Sequence, residues 1–154
     1  MRLDAPDGGA PSCGANRSPV SETISPDLQT CLLCEDVRQE ANGSFLLVGV
    51  LGGLAVPALP VTAQKLLLFT RWCCGVGRFR LAHRFLLPDN TSVIAASQSL
   101  LDLRNAEDHL TQVTVFANVQ FQQEGVYWVE VSLDNALKLR FPFPVRKVVP
   151  AKTS

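Results

Sequence analysis

Apolar and polar residues alternate regularly along residues 113–145. A period of two places one set of side chains on each face of a β-strand. The pattern therefore predicts three consecutive antiparallel strands, joined by three-residue loops at residues 123–125 and 134–136. The expected cross-strand pairs are Phe121 with Tyr127, Val119 with Val129, Ala117 with Val131, Leu133 with Leu137 and Val131 with Leu139.

Four residues in this segment depart from the simple alternation. Pro142 and Pro144 have no backbone N–H to donate, so the third strand is predicted to lie at the edge of its sheet. Phe116 and Trp128 are aromatic at positions where outward-facing polar side chains are expected. Exposed aromatic residues on one sheet face suggest contact with a protein partner or with a second copy of the chain.

The rest of the chain also favours short strands, with turn signals between them. Residues 64–72 and 78–87 are expected to form two strands that pair with each other. Asn42-Gly43 is a hairpin turn signal, and the uninterrupted apolar run after it predicts a buried strand. Residues 97–111 are expected to form a crossing loop or a short helix. The predicted strands cover residues 28–37, 44–51, 64–72, 78–87 and 93–96.

Residues 45–63 contain no charged side chain, and this length suffices for a transmembrane helix. The segment also contains Gly52, Gly53, Pro57 and Pro60, which interrupt helices. A strand followed by a proline-containing loop is therefore favoured, and a membrane span is the alternative.

Together these elements predict an all-β protein with one domain. We expect a single antiparallel β-sandwich of about seven or eight strands, immunoglobulin-like in arrangement, at residues 28–148. Residues 1–27 are rich in proline and glycine and have almost no apolar pattern, which predicts a disordered tail. Residues 149–154 are expected to be a short C-terminal tail.

The chain of 154 residues carries 14 basic and 14 acidic side chains, so its net charge favours neither nucleic acid nor an anionic membrane as a partner. The N-terminal residues contain no apolar run of the kind found in secretory signals. Five cysteines, an odd number, fit a reducing compartment better than a disulfide framework. We therefore expect a cytoplasmic protein.

Three short motifs carry a resemblance to known sequences. They are Cys34-Glu35-Asp36, the Asn42-Gly43 turn before LLVGVL, and GVYWVEV at residues 125–131. Over about residues 31–146 the chain resembles a family of uncharacterised bacterial β-sandwich proteins, a domain of unknown function. The approach to Tyr127 is also similar to the tyrosine corner of immunoglobulin-like sandwiches. The resemblance implies a fold, and no catalytic residue comes with it.

Four of the cysteines form two close pairs, Cys31 with Cys34 and Cys73 with Cys74. Such pairs can hold zinc when a turn makes both thiolates converge. On a strand, residues three apart and adjacent residues both point to opposite faces. We therefore expect buried thiols and no cofactor. The alternative is a pair of distinct metal sites, each of which uses one thiol from each pair and needs further ligands.

The two histidines lie in different settings. His83 is predicted on an apolar strand face and is expected to be a hydrogen-bonded core residue. His109 follows Glu107 and Asp108, with Asp102 nearby, and such a cluster could serve metal-dependent or hydrolytic chemistry. No recognisable nucleophile, phosphate loop or His-Glu-x-x-His motif accompanies it, which favours a solvated loop.

Basic residues are concentrated on two predicted strands. If these strands share a sheet, they form a patch that could bind an acidic protein or a nucleic-acid backbone. Edge protection and solubility are the simpler interpretation. The residues are Arg78, Arg80 and Arg84 on one strand and Lys138, Arg140, Arg146 and Lys147 on or after the other.

The sequence thus favours a non-catalytic binding or assembly module that contacts a protein partner or itself. No catalytic residue, metal, small-molecule substrate, nucleic acid or membrane is expected. One alternative is a metal-dependent enzyme that uses Asp102, Asp108 and His109, and another is an anionic-ligand or nucleic-acid binder. The candidate contact residues are Trp128, Phe116, Arg78, Arg80 and Arg84.

Overall fold

The computed structural model describes residues 22–149, which form nine β-strands and no helix. The all-β prediction is confirmed, with nine strands where about seven or eight were expected. Most of the predicted N-terminal tail, and the last five residues, lie outside the described part. The strands are β1 (Asp27–Gln39), β2 (Phe45–Leu51), β3 (Leu54–Val56), β4 (Val61–Cys73), β5 (Gly77–Leu86), β6 (Val93–Leu103), β7 (His109–Phe121), β8 (Gly125–Leu133) and β9 (Ala136–Lys147).

The strands form two sheets with the orders β2-β1-β4-β7 and β3-β9-β8-β5-β6. All neighbouring strands are antiparallel except β3 and β9, which are parallel. Both sheets contribute to one core, in which Trp72 of the first sheet and Phe85 and Phe143 of the second are fully buried.

Two predicted hairpins are wrong, because β4 and β5, and likewise β7 and β8, belong to different sheets. The expected cross-strand pair of Phe121 with Tyr127 is therefore wrong, although the two side chains meet across the core. Their rings lie edge to face with centroids 5.0 Å apart. At this crossing the Tyr127 hydroxyl donates to the carbonyl oxygen of Gln123 at 2.8 Å. Alternation indicates which face of a strand is buried, but it leaves open which strand lies beside it.

The β8–β9 hairpin is confirmed, although its loop is one residue shorter than expected. Val131 pairs with Leu139 as predicted, whereas Leu133 pairs with Ala136 and not with Leu137. Asp134 and Asn135 both have positive φ, as a two-residue hairpin loop requires. A bulge after Val131 absorbs the difference in register.

The edge position predicted for β9 holds over part of its length. β3 pairs only with Val145–Lys147, and the segment that contains Pro142 and Pro144 has β8 as its single neighbour in the described part. Proline is therefore found where no hydrogen bond to a second strand is needed.

Two further predictions are corrected by the structure. Residues 44–51 are not a buried strand, because β2 is an edge strand with exposed apolar side chains. Residues 97–111 are neither a crossing loop nor a helix. They contain the end of β6, a turn at residues 104–108 and the start of β7. Pairing with β5 overrides the weak strand propensity of the Ser-Gln-Ser segment in β6.

Phe116 is buried, not exposed, because β4 and β7 change phase together. Each strand has two consecutive exposed residues, Gln64-Lys65 and Ala117-Asn118, and the inward-facing positions move by one residue there. Asn118 has a φ of 55°, and the register of the two strands is the same on both sides of it. The switch turns Phe116 into the core, where its ring centroid lies 6.0 Å from that of Phe85.

The β1–β2 hairpin bends back over the outer face of the four-stranded sheet. Phe69 lies opposite Leu32, whereas Phe45 lies opposite Gln39, seven residues farther along β1. Seven extended residues span roughly 23 Å, yet the two rings are 5.6 Å apart. Gly49, with a φ of 66°, supplies a bend in β2. The fold-back explains the burial of Cys34, Leu67 and Phe69 outside the main core.

Within the described residues no helix has the length and apolar character needed to cross a membrane. Residues 45–63, for which a membrane span was the alternative, form β2, β3 and the beginning of β4, with a proline-containing connection at residues 57–60.

Candidate functional site

The predicted basic strands do share a sheet, with β8 between β5 and β9. We call the outer surface of this sheet the arginine face. Arg78, Arg80 and Arg84 lie on it, and all three are exposed. Arg140 lies across β8 from Arg84, because both pair with Glu130 in register.

Glu130 neutralises the centre of the arginine face. Its carboxylate is nearly buried and accepts two hydrogen bonds from Arg84, at 2.5 and 3.2 Å. A nitrogen of the Arg140 guanidinium lies 3.8 Å from its other oxygen. Farther along β5, Arg78 pairs with Asp102 at 3.7 Å. Carboxylates thus offset part of the positive charge of the arginine face, which lowers its expected affinity for an anion.

The two aromatic residues predicted to face outward differ in their exposure to solvent. Trp128 is half-buried on the arginine face, where the Arg140 guanidinium carbon lies 4.6 Å from the ring centroid. Phe116 is in the core and makes no partner surface. Of the two aromatic candidates for a partner contact, only Trp128 therefore remains. The burial of Phe116 was not predictable from the sequence, because the phase change at Asn118 reverses the faces of β7.

The proposed enzyme cluster is distributed over separate elements. Asp102 lies on β6 and pairs with Arg78, whereas Asp108 lies in the turn before β7 and accepts a 3.4 Å hydrogen bond from Asn105. His109 opens β7 and is exposed. As placed, no three side chains of His, Cys, Asp or Glu in residues 22–149 converge on a metal position.

His83 lies in the core, on the inward face of β5 as expected. Its Nδ1 lies 3.3 Å from the Thr114 hydroxyl oxygen of the opposite sheet. Its Nε2 has no hydrogen-bond partner among the described residues. Burial lowers the pKa of His83 from 6.5 to about 4, so the imidazole is neutral at physiological pH.

Cys31 and Cys34 point to opposite faces of β1, as the strand argument predicts. Cys31 packs against the main core, whereas Cys34 is buried beneath the folded-back hairpin. Burial raises the pKa of Cys31 to about 12, with a smaller contribution from Cys34. These thiols are protonated and face away from each other, so they do not form a metal knuckle.

Cys73 and Cys74 behave differently, and for them the adjacency argument is wrong. Cys74 has a φ of 65°, which turns its side chain toward that of its neighbour. The two sulfur atoms lie 3.6 Å apart. A hydrogen bond between the Cys73 and Cys74 side chains is the main cause that raises the pKa of Cys73. A backbone angle of this kind is rare for cysteine and has no signature in the residue order.

Three strands bring ligand-type side chains to this pair. Cys73 lies directly opposite Asp27 on β1 and directly opposite His109 on β7. Trp72 faces the core, so Cys73 and its two cross-strand neighbours share the outer face. We call Asp27, Cys73, Cys74 and His109 the cysteine corner. Sequence reasoning missed it because the three strands are far apart along the chain.

A cleft of about 520 Å³ opens between the β5–β6 turn and the end of β7. Sequence reasoning did not identify it. Its size falls within the range of small-molecule sites. The only visible signal was the run of amides at alternate positions of one strand. The lining residues are Leu87, Ile94, Asn118, Gln120, Gln122 and Gln123.

β2 presents an open edge with apolar side chains. Leu46, Val48 and Val50 are 48%, 36% and 54% exposed. No residue of the strand is charged. The outer edge of β2 has no partner strand in the described part of the chain.

Comparison with known sequences gives one family match. Residues 29–146 match the model of a family of unknown function, DUF6941. No curated protein matches the chain.

Proposed function

We propose that this chain, which belongs to the family of unknown function DUF6941, is a non-catalytic assembly module that pairs with a second copy of itself through the edge of β2. The observation that carries the proposal is the uncharged, apolar and unpaired edge of that strand. Strand edges of this kind offer free backbone N–H and C=O groups to another strand.

The other three sheet edges are less suited to pairing. β3 has only three residues. β6 carries a charged residue, Asp102, next to its C-terminal end. β7 is bent at Asn118, where the phase of its side chains changes. Short length, charge and bends are the features that natural proteins use to protect edges. β2 has a bend at Gly49 but keeps residues 45–48 extended before it.

The absence of charge on β2 favours a second copy of the chain as its partner. Antiparallel pairing of two β2 edges about a two-fold axis brings identical segments together, so a charged strand would meet its own charge. β2 has none. The exposed Leu46 and Val48 of both copies would then form one continuous apolar strip that water no longer contacts.

The immunoglobulin-like arrangement forms part of this proposal. The order β9-β8-β5-β6 corresponds to strands G, F, C and C′ of such domains, and β1-β4-β7 corresponds to A, B and E. The Tyr127 hydroxyl bond to Gln123, just before β8, supports it as a tyrosine corner. Cytoplasmic location and protein binding remain expectations of the same proposal.

The anionic-ligand alternative is weaker than self-association. Glu130 and Asp102 already engage three of the arginines on that face. The enzyme alternative has no converging cluster among the described residues to support it.

Light scattering coupled to size-exclusion chromatography tests the proposal. We expect wild type to shift from monomer to dimer with rising concentration. Val48→Lys should remain monomeric, because the lysines of the two copies would approach and repel each other across the two-fold axis. Leu100→Lys is the matched control, since Leu100 is 66% exposed on β6 of the other sheet. A wild type that is monomeric at every concentration, or a dimer that Val48→Lys leaves intact, refutes it.

A further inference from the structure

The two sulfur atoms of the cysteine corner already stand at the separation that a tetrahedral metal requires. Zinc binds thiolate at about 2.3 Å, so two thiolates on a tetrahedral ion lie about 3.8 Å apart. The Cys73 and Cys74 sulfurs are 3.6 Å apart. Cys74 is exposed and Cys73 is half-buried, so an ion can reach both from solvent. The left-handed backbone of Cys74 fixes this geometry in the absence of any ligand.

Two further ligands of the appropriate type flank the sulfur pair. His109 and Asp27 are the direct cross-strand neighbours of Cys73. Side chains at such positions have Cβ atoms roughly 4.5–5.5 Å apart. Both residues are exposed, so rotation about their side-chain bonds is not opposed by packing. The imidazole must turn toward the sulfurs to bind, because as placed no three such groups converge in residues 22–149.

We propose that the cysteine corner is a binding site for a thiophilic divalent cation of the zinc class. Cys73 and Cys74 supply two thiolates, His109 supplies an imidazole nitrogen, and Asp27 completes a tetrahedral set. Sulfur and imidazole ligands select zinc-like ions over magnesium or calcium, which prefer oxygen. Binding replaces the two thiol protons, which pass to the buffer, and no electron is transferred.

Charge and scaffold both suit such an ion. Two thiolates and one carboxylate carry three negative charges, which a divalent ion and the neighbouring Arg71 guanidinium together balance. Arg71 lies two residues before Cys73 on the same face of β4. The connection after Cys74 is held in place by the backbone pairing of Val76 with Ile24 and by Gly75, which packs against Pro26. A bound ion would tie β1, β4 and β7 together at one end of their sheet.

Cobalt(II) titration of the full chain, kept reduced with a phosphine, tests this site without any assumption about activity. Cobalt(II) is used as the probe because thiolate ligands give it a near-ultraviolet charge-transfer band and tetrahedral geometry gives intense visible bands. We expect one equivalent to produce both, and zinc to displace it. Cys74→Ser should abolish the charge-transfer signal or halve it, and His109→Gln should weaken affinity at least about tenfold to a hundredfold.

Three controls make the result decisive. Cys13→Ser and Cys34→Ala remove thiols elsewhere in the chain and should leave the titration unchanged. Thermal denaturation of every variant without metal checks that the fold is retained. Added zinc should stabilise wild type, Cys13→Ser and Cys34→Ala, and should not stabilise Cys74→Ser. The inference is overturned if cobalt gives only octahedral spectra, or if the signal survives in Cys74→Ser but disappears in Cys34→Ala.

Discussion

At the scale of single residues, His83 links stability to pH. It is fully buried, and its pKa is lowered from 6.5 to about 4 by burial. The unfolded chain binds this proton between those two values and the folded chain does not, so stability is complete above pH 6.5 and falls as the pH drops toward 4. A shift of this size corresponds to a loss of roughly 3 kcal/mol at most.

Urea denaturation at pH 7 and pH 4.5 measures this effect. We expect wild type to lose more stability than His83→Gln between the two pH values, because glutamine keeps a polar contact for Thr114 and does not titrate. Equal losses in the two proteins would mean that His83 has a normal pKa in the folded state.

Residues with positive φ mark the limit of what the sequence predicts at this scale. The inward face of β5 follows from alternation alone, and His83 is buried on it as expected. Cys74 and Asn118 adopt left-handed backbone angles that tertiary contacts impose. The angle at Cys74 turns its sulfur toward Cys73, and the angle at Asn118 accompanies the burial of Phe116. Neither the cysteine corner nor the burial of Phe116 could therefore be predicted from the pattern of apolar and polar residues.

At the scale of elements, most strands were predictable, whereas only some of their partners were, namely those of the β1–β2 and β8–β9 hairpins. Periodicity finds β1, β4, β5, β8 and β9 within a few residues, because alternation records which side of each strand is buried. It carries no record of which strand lies beside it, so two crossings between sheets were taken for hairpins. The polar end of β6 was missed because its side chains alternate only weakly in hydropathy.

The bend of the β1–β2 hairpin gives a prediction at the same scale. Gly49 has a φ of 66°, and a Cβ atom there would clash with the Glu35 carboxylate. We expect Gly49→Ala to lower the free energy of unfolding by about 1–2 kcal/mol from the backbone angle alone.

Gly52→Ala is the matched control, because a Cβ at Gly52 meets nothing within 4 Å and its φ is not in the left-handed region. Its effect should stay within about 0.5 kcal/mol. Urea midpoints for the two variants decide the matter, and equal values would show that the hairpin does not depend on the bend.

At the scale of the whole molecule, distant segments must meet before either sheet exists. Three hairpins, β1–β2, β5–β6 and β8–β9, join sequence neighbours. The pairings of β1 with β4, β4 with β7 and β5 with β8 join strands that are distant along the chain, so hairpins alone complete neither sheet. Topologies of this kind fold slowly, because long loops close before their contacts contribute.

We therefore expect refolding on a timescale of milliseconds to seconds. Stopped-flow fluorescence of Trp128→Phe, in which the core residue Trp72 is the single remaining tryptophan, follows the formation of the interior. Refolding that is complete within about 100 μs would contradict the topology.

The Tyr127 hydroxyl bond has a practical consequence for following these events. Tyr127 is the chain's single tyrosine, so every phenol signal in absorption or near-ultraviolet dichroism originates at the passage from β7 to β8. A spectroscopist can thus watch the two halves of the molecule become joined without introducing any label.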